Sequence, residues 1–204
     1  MITKAAPETR HHLAQVDGDT LVVRRALVVF ESMFGHTRKV AEAVAAGLGE
    51  CMEVRLRDVA HATHADVDGA ELVILGAPTH AFSLSRPSTR ADAHRRGAPE
   101  GSADLVMREW LSALPENAVG RVAVFDTRVS RVRSLPGSAA RKMANALRRD
   151  GAVVADRRSF FVEDVAGPLL PDELSQARCW GRSLAARVPA DRDPVADEHA
   201  PSTS

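Results

Sequence analysis

Apolar positions in this chain fall in blocks separated by polar turns. Ala26–Phe30 is a continuous apolar run, the mark of a strand buried on both faces. A polar turn from Ser32 to Thr37 follows. Val40, Ala43, Val44, Ala45 and Leu48 then form a stripe that predicts a helix over 37–48. Cys51–Leu56 reads as a short second strand, and Leu72–Leu75 as a second buried run closed by Gly76-Ala77-Pro78. Leu105, Val106, Trp110, Leu111 and Leu114 give a helix over 104–114 its buried side, and Val122–Phe125 is a third central strand. Ala140, Met143, Ala144 and Leu147 mark a helix over 137–149. Ala152–Ala155 and Ser159–Val162 make the last strand, bent near Asp156. Leu174, Ala177, Leu184 and Val188 share one face of a final helix over 171–188.

Strands separated by helices require crossover connections, and short units of this kind build a parallel sheet covered on both faces. The expected fold class is therefore α/β, a doubly wound, five-stranded parallel sheet. The pattern alone leaves a Rossmann order and a 2-1-3-4-5 order open. The length of 204 residues suits one domain. We expect a flexible tail over 1–23, the domain over 24–188, and a second tail over 189–204, where Pro189, Pro194 and Pro201 lie among charged and small residues.

Charge and cysteine usage narrow the partners. The formal net charge is +0, which argues against a large nucleic-acid footprint. The two cysteines, Cys51 and Cys179, form no CxxC and are too few for a zinc thiolate centre. Cys51 reads as a packing residue of an outer strand and Cys179 as a small buried helix residue. Met1–Gln15 is polar and reads as no secretory signal, and no run approaches the ~20 apolar residues of a membrane helix. A soluble cytoplasmic protein is expected. His61 and His64 near Asp66 and Asp68 form a weak metal candidate on a surface connection. Neither HExxH nor Gly-x-Ser-x-Gly occurs, so no hydrolase is indicated.

The chemistry is expected in the loops. After the first strand, Glu31-Ser32-Met33-Phe34-Gly35-His36-Thr37 opens a helix. Backbone N–H groups at a helix start lack intrahelical partners and can hold a phosphate. Ser32 and Thr37 add hydroxyls, and Gly35 permits close approach or positive φ. GxxxxGK[ST] is absent, and the turn has one glycine where a dinucleotide fingerprint needs GxGxxG.

Ser32-Met33-Phe34-Gly35-His36-Thr37 resembles the [TS]x[TS]GxT phosphate loop of the flavodoxin-like family, with Phe34 in place of its second hydroxyl residue. Gly76-Ala77-Pro78-Thr79-His80-Ala81-Phe82 resembles that family's second flavin loop, and Phe125-Asp126-Thr127-Arg128 stands where the third would be. The resemblance spans about residues 24–188 and implies strand order 2-1-3-4-5 with flavin mononucleotide (FMN) at the C-terminal ends of the strands. It assigns the phosphate to Ser32, Met33, Phe34, Gly35, His36 and Thr37. The isoalloxazine ring would lie between Ala77, Pro78, Thr79, His80 and Phe82 on one side and Asp126, Thr127 and Arg128 on the other. The implied function is electron transfer or reductase activity through the flavin, with a nicotinamide cofactor or a redox protein as partner. The alternative is a non-enzymatic binding or regulatory domain with a degenerate flavin site. The family commonly stacks Trp or Tyr on the ring, whereas this chain has no tyrosine and its two tryptophans lie in expected helices. Arg86, Arg90, Arg95 and Arg96, with Arg128, Arg131 and Arg133, suggest a locally positive mouth.

Overall fold

A computed structural model of the chain describes residues 23–80, 83–85, 95 and 106–189. The expected tails fall almost wholly outside these residues, as does most of the arginine-rich stretch 85–102. Strands β1 (Arg25–Phe30), β2 (Glu53–Asp58), β3 (Leu72–Pro78), β4 (Arg121–Val129) and β5 (Val153–Val162) form one sheet in the order β2-β1-β3-β4-β5. Every neighbouring pair is parallel. The helices are α1 (His36–Leu48), α2 (Met107–Ser112), α3 (Ala139–Arg149) and α4 (Glu173–Ala186).

The unbroken apolar runs are explained by two cores, one on each face. Side chains alternate across a strand. Leu27, Val29, Leu75 and Val124 therefore join Trp110, Met143 and Leu147 beneath α2 and α3. Val28, Phe30, Ile74 and Phe125 join Val44, Trp180 and Leu184 beneath α1 and α4. Phe125, Phe160 and Trp180 meet edge-on in this second core, with ring centroids 5.8, 6.2 and 6.0 Å apart. Burying each such side chain contributes about 1.5–3 kcal/mol. Gly76 is dictated by the same packing, because a Cβ there would stand 2.1 Å from the Phe125 ring.

Several boundaries differ from the sequence reading, each for a physical reason. β2 starts at Glu53, so Cys51 lies in the preceding turn and is exposed. Cys179 is exposed as well, because its neighbours Trp180 and Gly181 take the inward face of α4. Leu174 is 42% exposed, and the buried stripe of α4 is Ala177, Trp180, Leu184 and Ala185. β4 is paired on both sides as far as Thr127 and with β5 as far as Val129, so Asp126, Thr127 and Arg128 are strand residues and the loop begins at Ser130. β5 is one strand with a bulge. Val122 pairs with Val154 and Ala123 with Asp156, leaving Ala155 over. The bulge aims Asp156 at α4, where its Oδ2 accepts from Trp180 Nε1 at 2.9 Å.

Candidate functional site

The C-terminal ends of β1, β3 and β4 bring the expected segments to one edge of the sheet. Leaving β1, Glu31 donates its amide to the Gly76 carbonyl at 2.8 Å, and the chain then turns through Ser32–Gly35 into α1. Gly35 takes the N-cap position in the left-handed region, φ 83°, and nothing lies within 4 Å of where its Cβ would be. A side chain would strain the backbone there. Ser32 Oγ accepts the Arg38 amide at 3.2 Å, capping the third helical N–H and keeping its own hydroxyl proton for another acceptor. Among the described residues, no carbonyl or side chain accepts the amides of Met33, Phe34, Gly35, His36 or Thr37. Among the described residues the turn is therefore a cradle of backbone donors left without acceptors at the positive end of a thirteen-residue helix.

Thr37 and Thr127 face each other across this edge. Both are buried, and their hydroxyls are 2.8 Å apart. One proton serves that bond, so the pair retains one more to donate. The hydroxyl bond fixes the start of α1 to the end of β4. His36 is half-buried, and both its ring nitrogens lack a full hydrogen bond among the described residues. Burial lowers its pKa below 6.5, Lys39 adds to the effect, and the nearby Ala166 backbone works the other way. The imidazole is accordingly neutral at pH 7. Phe34 packs on Met33 in a small cluster separate from both cores.

The second and third segments are largely engaged in building the edge. Ala77 and Pro78 end β3 opposite Asp126 and Thr127. Thr79 donates its amide to the Thr127 carbonyl at 2.8 Å and its hydroxyl to Asp126 Oδ2 at 2.9 Å. The same hydroxyl oxygen accepts the Ala139 amide at 2.9 Å, and Asp126 Oδ2 accepts that of Ala140 at 3.1 Å. Thr79 and Asp126 thus secure the first turn of α3, whose N-cap Ser138 accepts from Arg141. Asp126 Oδ1 is buried without a hydrogen-bond partner among the described residues. Arg128 is 7% exposed and folds its guanidinium onto the carbonyls of Val132 and Leu135, so it braces the loop from within. His80 and Ser83 exchange backbone hydrogen bonds of 2.9 Å, a tight turn. Phe82 lies outside the described residues.

One buried acid escaped the sequence reading. Glu31 is 1% exposed, and its Oε2 accepts the Met107 amide at 3.0 Å, tying α2 to the end of β1. The available signal was a carboxylate directly continuing an apolar strand. Trp110 donates to the Ala62 carbonyl in the core beneath α2, and Trp180 lies in the other core, so neither tryptophan reaches the cradle. Of the weak metal candidate, His64 packs against Trp110 and Asp66 accepts from Thr63. Among the described residues no group of three or more His, Cys, Asp or Glu could hold a metal ion.

Known structures give the same architecture. An archaeal flavodoxin superposes with a TM-score of 0.56 at 20% identity, over 80% of this chain and 98% of that one. The fold is that of the flavodoxins. The flavodoxin of Streptococcus pneumonia matches with a TM-score of 0.56 at 19% identity, over 80% of this chain and 99% of its own. The two-electron reduced flavodoxin of Megasphaera elsdenii matches with 0.57 at 17% identity, over 79% and 98%. No protein-family model and no curated protein matches the sequence. The flavodoxin-like architecture has strand order β2-β1-β3-β4-β5, the order implied by the resemblance of the loops and one of the two that the apolar pattern left open. Among the described residues, no helix is long and apolar enough to cross a membrane.

Proposed function

We propose that the chain binds flavin mononucleotide and works as a redox protein, as an electron carrier or a reductase. The observation that carries this reading is the cradle after β1. Five successive amides without acceptors among the described residues lie at a helix N-terminus, around a glycine with free space where a side chain would stand. A phosphate dianion matches that donor set. The hydroxyl protons left by Ser32 and by the Thr37–Thr127 pair add donors. When bound, the flavin supplies one- or two-electron chemistry, while the protein supplies placement and surroundings.

In this reading Met33, Phe34, Gly35, His36 and Thr37 hold the phosphate, with Ser32. Ala77, Pro78 and His80 border the ring on the β3 side. Thr79, Asp126 and Thr127 act at one remove, keeping the edge rigid through bonds already made within the protein. Two exposed free cysteines suit a reducing compartment, which supports a cytoplasmic location.

The test is a titration of the purified chain with FMN and, separately, with riboflavin, which lacks the phosphate. FMN should bind and develop shifted absorption bands near ~450 and ~375 nm. Riboflavin should bind at least about 100-fold more weakly, given the ~1.5–3 kcal/mol typical of each hydrogen bond to a charged group. Equal affinity for the two would remove the phosphate cradle from the argument. Anaerobic bleaching of the loaded protein by NADH or NADPH identifies a reductase, and reduction only through a second protein identifies a carrier.

A further inference from the structure

From Thr127 to Arg149 the chain holds seven basic residues, Arg128, Arg131, Arg133, Arg141, Lys142, Arg148 and Arg149, and no acidic one, within a protein of net charge +0. Arg128 is turned inward, and the other six are exposed. None of the six forms an ion pair among the described residues. On α3, the exposed positions Arg141, Lys142, Asn145, Arg148 and Arg149 recur at helical spacing, opposite the buried Ala140, Met143, Ala144 and Leu147. They form one stripe, about 12 Å long at ~1.5 Å per residue. Arg131 and Arg133 extend it to the loop after β4, at the edge that carries the cradle.

Helix stability does not account for this pattern. Cations suit the C-terminal turn, where Arg148 and Arg149 lie, but Arg141 and Lys142 oppose the macrodipole at the N-terminal end. No acidic residue relieves them in the first turn. At the head of the stripe, Leu135 is 46% exposed, and its carbonyl is gripped by Arg128. The apolar tip is therefore held in place on a loop braced from below.

We propose that this face docks an acidic protein, with its carboxylates along α3 and its contact centre on Leu135, beside the mouth of the site. An apolar centre flanked by charge suits a protein interface. A membrane surface fits less well, because an interfacial helix inserts its apolar face and α3 has buried its own in the core. A net charge of +0 disfavours nucleic acid. One-signed charge beside a site raises the encounter rate with an oppositely charged partner and loses that advantage as salt is added. The proposal rests on the flavin reading for the meaning of the mouth, and the binding it predicts does not require flavin.

The test uses the full chain, with and without added FMN, and a plant-type [2Fe–2S] ferredoxin as the acidic probe. Titration calorimetry should show binding in both states, weakening at least about 10-fold between low and high salt. The double substitution Arg141→Glu with Arg148→Glu should weaken it at least about 10-fold, with an unchanged circular dichroism spectrum. The control pair Arg55→Glu with Arg57→Glu makes the same charge change on the far edge strand β2 and should leave binding within about 2-fold. Absence of ferredoxin binding, an equal effect of the control pair, or tighter binding to a short DNA duplex or to phosphatidylserine vesicles would overturn the proposal. Docking without FMN uptake strikes only the flavin reading. FMN uptake without docking strikes only this one.

Discussion

Replacing Gly47 with alanine tests the packing that holds the helix of the cradle in place. Gly47 lies within α1, where a Cβ would stand 2.0 Å from the Arg178 carbonyl oxygen and 3.1 Å from the Arg182 nitrogen on α4. Gly181 makes the reciprocal approach, with Val44 O at 2.3 Å from its would-be Cβ. Carbon and oxygen come to rest at about 3.3 Å, so the two helices must part by about 1.3 Å at this crossing. Parting them loosens Val40, Val44 and Leu48 from Ala177, Trp180 and Leu184. Overpacking costs ~1–3 kcal/mol, and a backbone displacement of this size belongs in the upper half of that range, about 2–3 kcal/mol, against which alanine returns about 1 kcal/mol of helix propensity. The expected net loss is about 1–2 kcal/mol, a fall in Tm of roughly 2–8 °C for a chain of this length. Thermal unfolding followed by circular dichroism measures it. Gly120→Ala is the control, because nothing lies within 4 Å of its would-be Cβ and its φ is not positive. That substitution should be neutral or stabilise by up to about 1 kcal/mol. If Gly47→Ala melts within about 1 °C of the parent, or Gly120→Ala falls as far, the close-approach argument is wrong.

Three further outcomes follow from the site. His36 has a folded pKa lowered by burial and by Lys39, so the unfolded chain takes up more protons as pH falls below 6.5. The stability that neutral His36 provides is complete above 6.5 and is lost as pH falls toward the folded value. Urea unfolding should show a decline below that pH which His36→Asn reduces, and an identical decline in the variant would contradict the assignment. A double-mutant cycle of Thr37→Val and Thr127→Val should give a coupling of about 1 kcal/mol for the buried hydroxyl pair, and strict additivity would deny that bond its role. Arg128→Met removes the guanidinium bonds to Val132 and Leu135. Amide exchange over 130–136 should then quicken and stability fall by about 1–3 kcal/mol, whereas unchanged exchange would show that the loop does not depend on the brace.

The course of the chain was legible because burial writes itself into composition. A strand covered on both faces must be apolar at successive positions, so Ala26–Phe30, Leu72–Leu75 and Val122–Phe125 announced the centre of the sheet. The edge strand β2 was placed two residues early because Arg55, Arg57 and Glu53 leave it half polar. The glycine-bearing turn after β1 was legible for a similar local reason: a left-handed residue and a helix start depend on the few residues that make them.

The chain by itself therefore determined the alternation of strand and helix, the apolar centre of the sheet and the place of the candidate phosphate loop. These follow from neighbours in sequence. The strand order, which the apolar pattern left open, was already implied by the resemblance of the loops, and the sheet has that order. Only the tertiary structure decided the inward turn of Arg128 and the use of Asp126 and Thr79 to fasten α3. It also decided the burial of Glu31 against α2 and the outward placing of Cys179. Each depends on groups brought together from distant segments, as Glu31 meets Met107 and Thr37 meets Thr127. A polar residue at a strand end reads the same whether it faces a ligand or a helix terminus, until the partner's position is known.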